Sequence, residues 1–298
     1  MNTGTNIKFA DKDVVDMVSV LQNLIDGIAK IYNSYNNEPA RDSVAELERN
    51  SFADPELARD VHYRGIQSME SAADHLMVFT DSMIQPAKTV APWTCIRGLL
   101  ESCAIAAWFL DPAIDVRTRV ARCFAFRYAG FVQQIKYYQV DDQRTEIDQA
   151  KQRMIQVEQD ALSLGYPRVL NKQNKIDGIA MRLPSITELI GITLYRETDY
   201  RLLSAIAHGH HWAIQQVGFK QIEVTDDKGH VTVALEKHVH PNFVIYAGHI
   251  AVTSFARVLW YLWRLHGWNL KEIADLLDGT YEELHYNPEL RFWHSPAT

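Results

Sequence analysis

The sequence contains little cysteine, with only three residues among 298, namely Cys95, Cys103 and Cys123. Their number is odd, and their spacing matches neither a zinc site nor a disulfide framework. The opening residues, MNTGTNIKFADKD, also lack the basic start and the apolar run of a secretory signal. We therefore expect a protein of the reducing cytoplasm that is stabilised by its hydrophobic core rather than by cross-links.

An excess of positive charge is also missing. The chain has 30 Lys and Arg residues against 37 Asp and Glu residues, and its formal net charge is −7. The whole molecule therefore has no general attraction to nucleic acid or to an anionic membrane, and any site for a polyanion must be local.

Several common catalytic signatures are absent. The sequence has no Gly-rich phosphate loop, no serine nucleophile elbow and no Cys-His pair with a supporting motif, so we predict neither ATP binding nor acyl transfer and expect no cofactor. The longest membrane-like stretch, residues 243–263, carries His249 and Arg257, which would be costly in hydrocarbon. We interpret this stretch as a buried core helix and expect no membrane span.

Apolar residues recur at three- and four-residue spacing along nearly the whole chain, a pattern typical of an all-α protein. We expect a bundle of seven or eight helices with one short β-hairpin near 218–237, turning at Asp226 to Gly229, because the hydrophobicity alternates there. Residues 1–90 are expected to form an N-terminal helical region that packs on a bundle of residues 91–298, as one continuous domain, since no repeat or long linker is visible.

The most informative segment is a predicted helix from Tyr200 to about Gln216. At about 100° per residue, its polar residues share about a quarter of the circumference, opposite an apolar face. The polar residues are Tyr200, Arg201, Ser204, His208 and His211. Arg201 and His208 lie two turns apart, and a guanidinium with an imidazole suits a phosphodiester, since the first can hold phosphate oxygens and the second can transfer a proton near neutral pH. Alternatively, this polar face meets solvent or joins a polar network inside the bundle.

The segment Tyr-Arg-Leu-Leu-Ser-Ala-Ile-Ala-His-Gly resembles the Arg-x(4 to 6)-His motif of the HEPN superfamily (higher eukaryotes and prokaryotes nucleotide-binding). It is also similar to uncharacterised bacterial helical proteins related to abortive infection. The resemblance covers about residues 92–263. It implies a metal-independent RNA endonuclease of toxin or phage-defence type, in which His208 transfers a proton and Arg201 stabilises the developing charge. The residue after the arginine is often polar in active members, whereas here it is Leu202.

The resemblance also implies a homodimer with two facing motifs, and an antitoxin or a defence-system partner. A second hypothesis is a non-catalytic helical binding protein, such as an antitoxin or defence-system subunit built on the same bundle. A third is a metal-dependent enzyme that uses His208, His210, His211, His238 and His240. We do not predict a metal site, because His210 should lie on another helix face, no carboxylate is near at ligand spacing, and Glu282-x-x-His285 is only half of a di-iron motif.

Other charged residues could support such a site. Arg97 and Glu101 are four residues apart in an otherwise apolar helix and are expected to pair, either for structure alone or with Glu101 also orienting Arg201 or His208. Additional RNA contacts are predicted for two groups of cationic residues. The alternative is that these residues only face solvent or form ion pairs. These are Arg119 and Arg122 on one helix, and Lys172 and Lys175 in the basic strip 168–182.

Overall fold

The structure is a computed structural model that describes residues 12–36, 38–84, 88–225, 228–237 and 241–284. The chain is predominantly helical, as predicted, but the expected count of seven or eight helices is wrong. The described residues form eleven helices: α1 (Lys12–Ser34), α2 (Val44–Ser51), α3 (Pro55–Met83), α4 (Ala91–Leu110), α5 (Val116–Val140), α6 (Arg144–Ser163), α7 (Ile186–Leu194), α8 (Glu197–Ala207), α9 (His211–Gly218), α10 (Pro241–His266) and α11 (Leu270–Glu283).

Several helices begin at a residue whose side chain caps the first turn. Asp54 accepts a hydrogen bond from the backbone N–H of Leu57 at 3.0 Å, directly before Pro55 opens α3. Ser185 and Glu188 form a reciprocal capping box at the start of α7. The count exceeds the expectation partly because Ser43 caps a separate short helix, α2.

The structure contains two antiparallel hairpins in its described part, one more than expected. The predicted hairpin consists of β3 (Phe219–Thr225) and β4 (Val231–Lys237), although two residues of its turn, 226 and 227, lie outside the described residues. The additional hairpin consists of β1 (Arg168–Leu170) and β2 (Ile176–Ile179) and includes much of the basic strip 168–182. Asn171 closes its turn by accepting bonds from the backbone N–H groups of Gln173 and Lys175.

Helix α4 lies at the centre of the bundle, where it packs against α3, α7, α8 and α10. Leu99, Leu100 and Cys103 on this helix are fully buried, and one continuous hydrophobic core extends from Val14 to Tyr281. Among the described residues, Ala91–Leu110 and Asn242–His266 are long and apolar enough to cross a membrane, with mean hydropathies of 1.2 and 1.4. Most of each is buried inside the molecule, as in the core helices of many bundles.

A polar cluster lies inside this bundle. Arg119 on α5 donates to both carboxylate oxygens of Glu48 on α2, at 3.0 and 3.2 Å, and a ring nitrogen of His62 on α3 lies 2.7 Å from the same carboxylate. The ring of His266 on α10 lies 5.9 Å from that of His62. All four side chains are buried. Hydrogen bonds and charge connect α2, α3 and α5 in the interior, and α10 contacts this cluster through the ring of His266.

Candidate functional site

The predicted helix 200–216 is interrupted at Gly209, which adopts a φ of +75°. Helix α8 ends at Ala207, the backbone N–H of Gly209 donates to the carbonyl of Ile206 at 3.0 Å, and that of His210 donates to the carbonyl of Ala205 at 2.9 Å. These two bonds form a Schellman motif, in which glycine readily takes the left-handed position. A new helix, α9, then begins at His211. The rotation of 100° per residue therefore applies only up to the end of α8.

An open pocket of about 250 Å³ lies beside this break. Four of the predicted site residues line it from α8 and its cap: Tyr200, Arg201, Ser204 and His208. The remaining lining residues are Thr187 on α7, Ala205, and His210 and Trp212, which come after the break. The structure thus places Arg201 and His208 at one pocket, as the helix face predicted.

The expected position of His211 is wrong, because the chain changes direction at Gly209. His211 is exposed at the start of α9 and does not line the pocket, whereas His210 does. The ring centroids of His208 and His210 are 6.5 Å apart, and the two rings are inclined at 78°. The pocket therefore contains two neighbouring imidazoles, one of which we had expected to lie on a different face.

Arg201 is exposed and is held by a neighbour on its own helix. Its Nε and Nη2 atoms donate to Oε1 of Glu197 at 3.0 and 2.7 Å. The side chains of Arg201 and Glu197 are 68% and 49% exposed, and exposed pairs of this kind contribute only about 0.3–0.5 kcal/mol to stability. An anionic ligand could therefore replace the carboxylate at little energetic cost.

Tyr200 connects the pocket to the central helix. Its hydroxyl donates to Oε1 of Glu101 at 2.9 Å, and Nε of Arg97 donates to the same oxygen at 2.9 Å. Burial and the bond to Glu101 raise the pKa of Tyr200. The pairing of Arg97 with Glu101 agrees with the sequence prediction. The contacts of Glu101 in the structure are with Arg97 and Tyr200 rather than with Arg201 or His208, so it can act on the pocket only by positioning Tyr200.

The prediction that Arg119 binds RNA is wrong, whereas the same prediction for the partly buried Arg122 stays a prediction. Arg119 is fully buried and donates to Glu48 and to the carbonyls of Phe109, Asp111 and Ile114. Arg122 donates to the carbonyl of Trp108, and its guanidinium lies 5.2 Å from the centroid of that indole ring. The last carbonyls of a helix have no partner within the helix. The two arginines satisfy such carbonyls at the end of α4, where the chain turns at Asp111-Pro112.

Lys172 and Lys175 are exposed, but they lie on the turn of the β1–β2 hairpin, which packs against α5. Neither lysine lines the pocket. The cationic and titratable side chains that line the pocket are therefore Arg201, His208, His210 and Tyr200. A contribution of the two lysines to RNA binding stays a prediction.

No cluster of three or more His, Cys, Asp or Glu residues suited to a metal ion is found in the described part of the chain. His238, His240 and His285, which we considered as ligands, lie outside the described residues. Four lining residues were not predicted as site residues: Thr187, Ala205, His210 and Trp212. The signal for the last two was Gly209, because glycine ends many helices and the predicted helix 200–216 runs through this position.

No protein-family model, curated protein or solved structure matches the chain. The function must therefore be inferred from the pocket and its chemistry.

Proposed function

We propose that the protein is a metal-independent RNA endonuclease, similar to HEPN nucleases of the toxin or phage-defence type. The observation that carries the proposal is that Arg201 and His208 are both exposed and line one open pocket. Had either been sealed in the core by internal partners, as Arg119 is, no phosphodiester could reach it.

The proposed reaction uses the ribose of the substrate as the nucleophile. The 2′-oxygen attacks the adjacent phosphorus, a new O–P bond forms, and the bond from phosphorus to the 5′-oxygen breaks. His208 accepts the proton of the 2′-hydroxyl, and the leaving 5′-oxygen gains a proton. Arg201 stabilises the additional negative charge that develops on the phosphate oxygens. The products are a 2′,3′-cyclic phosphate and a 5′-hydroxyl.

The contacts beneath the pocket support this role by fixing its geometry. Glu101 accepts bonds from both Arg97 and Tyr200, which fastens α8 to the central helix α4. Ser204 lies on α8 one turn before the cap residue His208, where its hydroxyl can bond a phosphate oxygen. Catalysis depends on such preorganisation, because a displacement of about 1 Å can cost about 100-fold in rate.

Single-stranded RNA is the substrate we favour. Trp212 lines the pocket with 55% of its surface exposed, and an exposed indole can stack on an unpaired base. In a duplex the bases are already stacked on one another, so this contact would be lost. We propose the cytoplasm as the compartment, a homodimer with facing pockets as the assembly, and an antitoxin or defence-system partner as its regulator.

The proposal is tested by incubating the protein with end-labelled single-stranded RNA in EDTA. We expect fragments that end in a 2′,3′-cyclic phosphate or a 3′-phosphate. Arg201→Ala and His208→Ala should each lower cleavage by about 100-fold or more, with thermal melting close to that of the parent, because both side chains are exposed.

A matched control is Lys271→Ala. Like Arg201, Lys271 is an exposed cation that pairs with a carboxylate four residues away on its own helix, in this case Asp275. This variant should keep the parent activity. Cleavage that survives both pocket substitutions, or that appears only with added metal ions, would contradict the proposal.

A non-catalytic binding protein is the second candidate function. It is favoured by apolar side chains exposed on the helices around the pocket: Ile192 on α7, Tyr195 at its end and Trp212 on α9. Such side chains are common at protein interfaces. This function predicts no cleavage under any condition and a stable complex with a partner protein that Trp212→Ala weakens.

A further inference from the structure

The pocket contains two imidazoles, those of His208 and His210, but the reaction proposed above gives a role only to His208. In phosphoryl transfer the attacking and leaving oxygens lie roughly in line on opposite sides of the phosphorus. A base at the attacking oxygen and an acid at the leaving oxygen are therefore best supplied by two separate groups. His208 and His210 line the same pocket with ring centroids 6.5 Å apart, so both imidazoles can reach oxygens of one phosphodiester that is bound in front of the pair.

We propose that His210 is a second catalytic residue, the general acid that protonates the leaving 5′-oxygen while His208 accepts the proton of the 2′-hydroxyl. This inference rests on the proposed nuclease function. The proton lost by His210 is regained when the cyclic product has left and the pocket exchanges protons with water.

The other residues that line the pocket are poorly suited to this step. The hydroxyl of Tyr200 is already donated to Glu101, and its pKa is raised by burial and by that bond. The guanidinium of Arg201 does not give up a proton in proteins, and the hydroxyls of Ser204 and Thr187 are weak acids. Imidazole is the side chain that exchanges a proton readily near neutral pH.

The backbone holds His210 in place without using its side chain. The bonds from Gly209 to Ile206 and from His210 to Ala205 fix the turn. His210 is the N-cap residue of α9, but its imidazole makes no capping bond and is exposed. Replacing the imidazole should therefore leave the turn and both helices intact.

The test compares two substrates that differ in the leaving group. One is a short single-stranded RNA, whose 5′-oxygen must be protonated as it leaves. The other is uridine 3′-(4-nitrophenyl phosphate), whose nitrophenolate leaves without protonation. His210→Ala and His210→Gln should each lower kcat for RNA by about 100-fold or more. Both variants should retain activity within a few-fold of the parent on the aryl ester.

Two comparisons make the result specific. His208→Ala should lose activity on both substrates, because each needs the base. Gln216→Ala, which changes an exposed residue at the far end of α9, should match the parent on both. Melting curves and circular dichroism establish that each variant is folded.

The outcomes separate this inference from the proposed function. Equal losses on the two substrates, or no loss on RNA, would overturn the role of His210 and leave the nuclease standing if Arg201 and His208 remain essential. A parent protein that cleaves neither substrate would overturn both proposals.

Discussion

Trp212 is the residue in the pocket whose exposure is least expected. Large aromatic side chains are usually buried to a high degree, yet more than half of this indole is open to solvent. It lies on the same pocket as Arg201 and His208, so an apolar surface and a phosphate-binding group are side by side. A nucleotide has the matching arrangement, with a flat base joined through its ribose to a phosphate.

Replacing Trp212 should therefore weaken substrate binding more than it slows the chemical step. Trp212→Ala is expected to raise KM for single-stranded RNA by about fivefold to about 100-fold, the effect of losing one stacked base, with a smaller change in kcat. Trp212→Phe should recover much of the loss because it keeps an aromatic face. Steady-state kinetics measure both quantities.

A binding experiment checks the same contact without cleavage. Single-stranded RNA with 2′-O-methyl riboses lacks the nucleophile and should quench the fluorescence of the parent but not that of Trp212→Phe. Tyr137→Ala, which removes an exposed aromatic ring on α5, should leave KM unchanged. A fall in kcat with an unchanged KM in Trp212→Ala would contradict a stacking role.

At the scale of the element, the sequence predicted the face of α8 well but not the turn after it. The 3.6-residue period holds from Tyr200 to His208, so Arg201, Ser204 and His208 reach one pocket as expected. Beyond Gly209 the same period no longer applies, which is why His211 was placed in the site and His210 was not. A glycine at a helix end was a local signal that could have corrected this.

Other features of the fold could not be predicted from local sequence. Arg119 has the pattern of a surface cation, and its burial depends on carbonyls at the end of α4 and on Glu48 from α2, which is 71 positions away in sequence. Such partners become visible only once the helices are packed. The same holds for Glu101, whose bond to Tyr200 joins residues 99 positions apart.

Gly209 gives an element-scale prediction. At a φ of +75° a side chain is strained even though the space around the residue is open, so Gly209→Ala should destabilise the turn by about 1–2 kcal/mol. We expect RNA cleavage to fall because His210 and Trp212 are displaced from the pocket. The free energy of unfolding and kcat/KM are the two measurements.

Gly130→Ala is the matched control. Gly130 lies within α5, also has open space around it and is not among the glycines with positive φ. In the interior of a helix, alanine is more stabilising than glycine by about 0.5–1 kcal/mol. This variant should therefore be slightly more stable than the parent and fully active. If Gly209→Ala behaved in the same way as Gly130→Ala, the proposed importance of the turn would be wrong.

At the scale of the whole molecule, the buried polar cluster connects α2, α3, α5 and α10. Burial alone would raise the pKa of Glu48, but the hydrogen bond from His62 and the charge and bonds of Arg119 outweigh it and lower that pKa. Burial, despite the bond to Glu48, lowers the pKa of His62. Burial and the nearby His62, Arg49 and Arg119 lower that of His266 to about 3. The cluster thus keeps its carboxylate charged and its imidazoles neutral.

These shifts predict that mild acid destabilises the fold. In the unfolded chain His266 takes up a proton as the pH falls through about 6.5, whereas in the folded protein it stays neutral down to about pH 3. The unfolded state then binds more protons, so the free energy of unfolding falls by up to about 1.4 kcal/mol per pH unit for one such histidine. The lowered pKa of Glu48 acts in the same direction below about pH 4.5.

Between pH 6.5 and 4.5, the effect of the cluster's imidazoles on stability can be measured separately from that of Glu48. His266→Phe tests the effect of one of these imidazoles. The ring of His266 packs 4.8 Å from that of Trp268, so phenylalanine preserves the aromatic contact while it removes the titrating group. The free energy of unfolding is measured in urea at several pH values. Over this range it should fall less steeply with pH in the variant than in the parent, and the difference in slope should correspond to the uptake of about one proton fewer on unfolding. Trp268→Phe disturbs the same packing without removing an imidazole, and it should therefore keep the parent slope. If the slope of the free energy of unfolding against pH were unchanged in His266→Phe, this histidine would take up its proton in the folded state. The interior of the bundle would then be more accessible to water than the burial of His266 indicates.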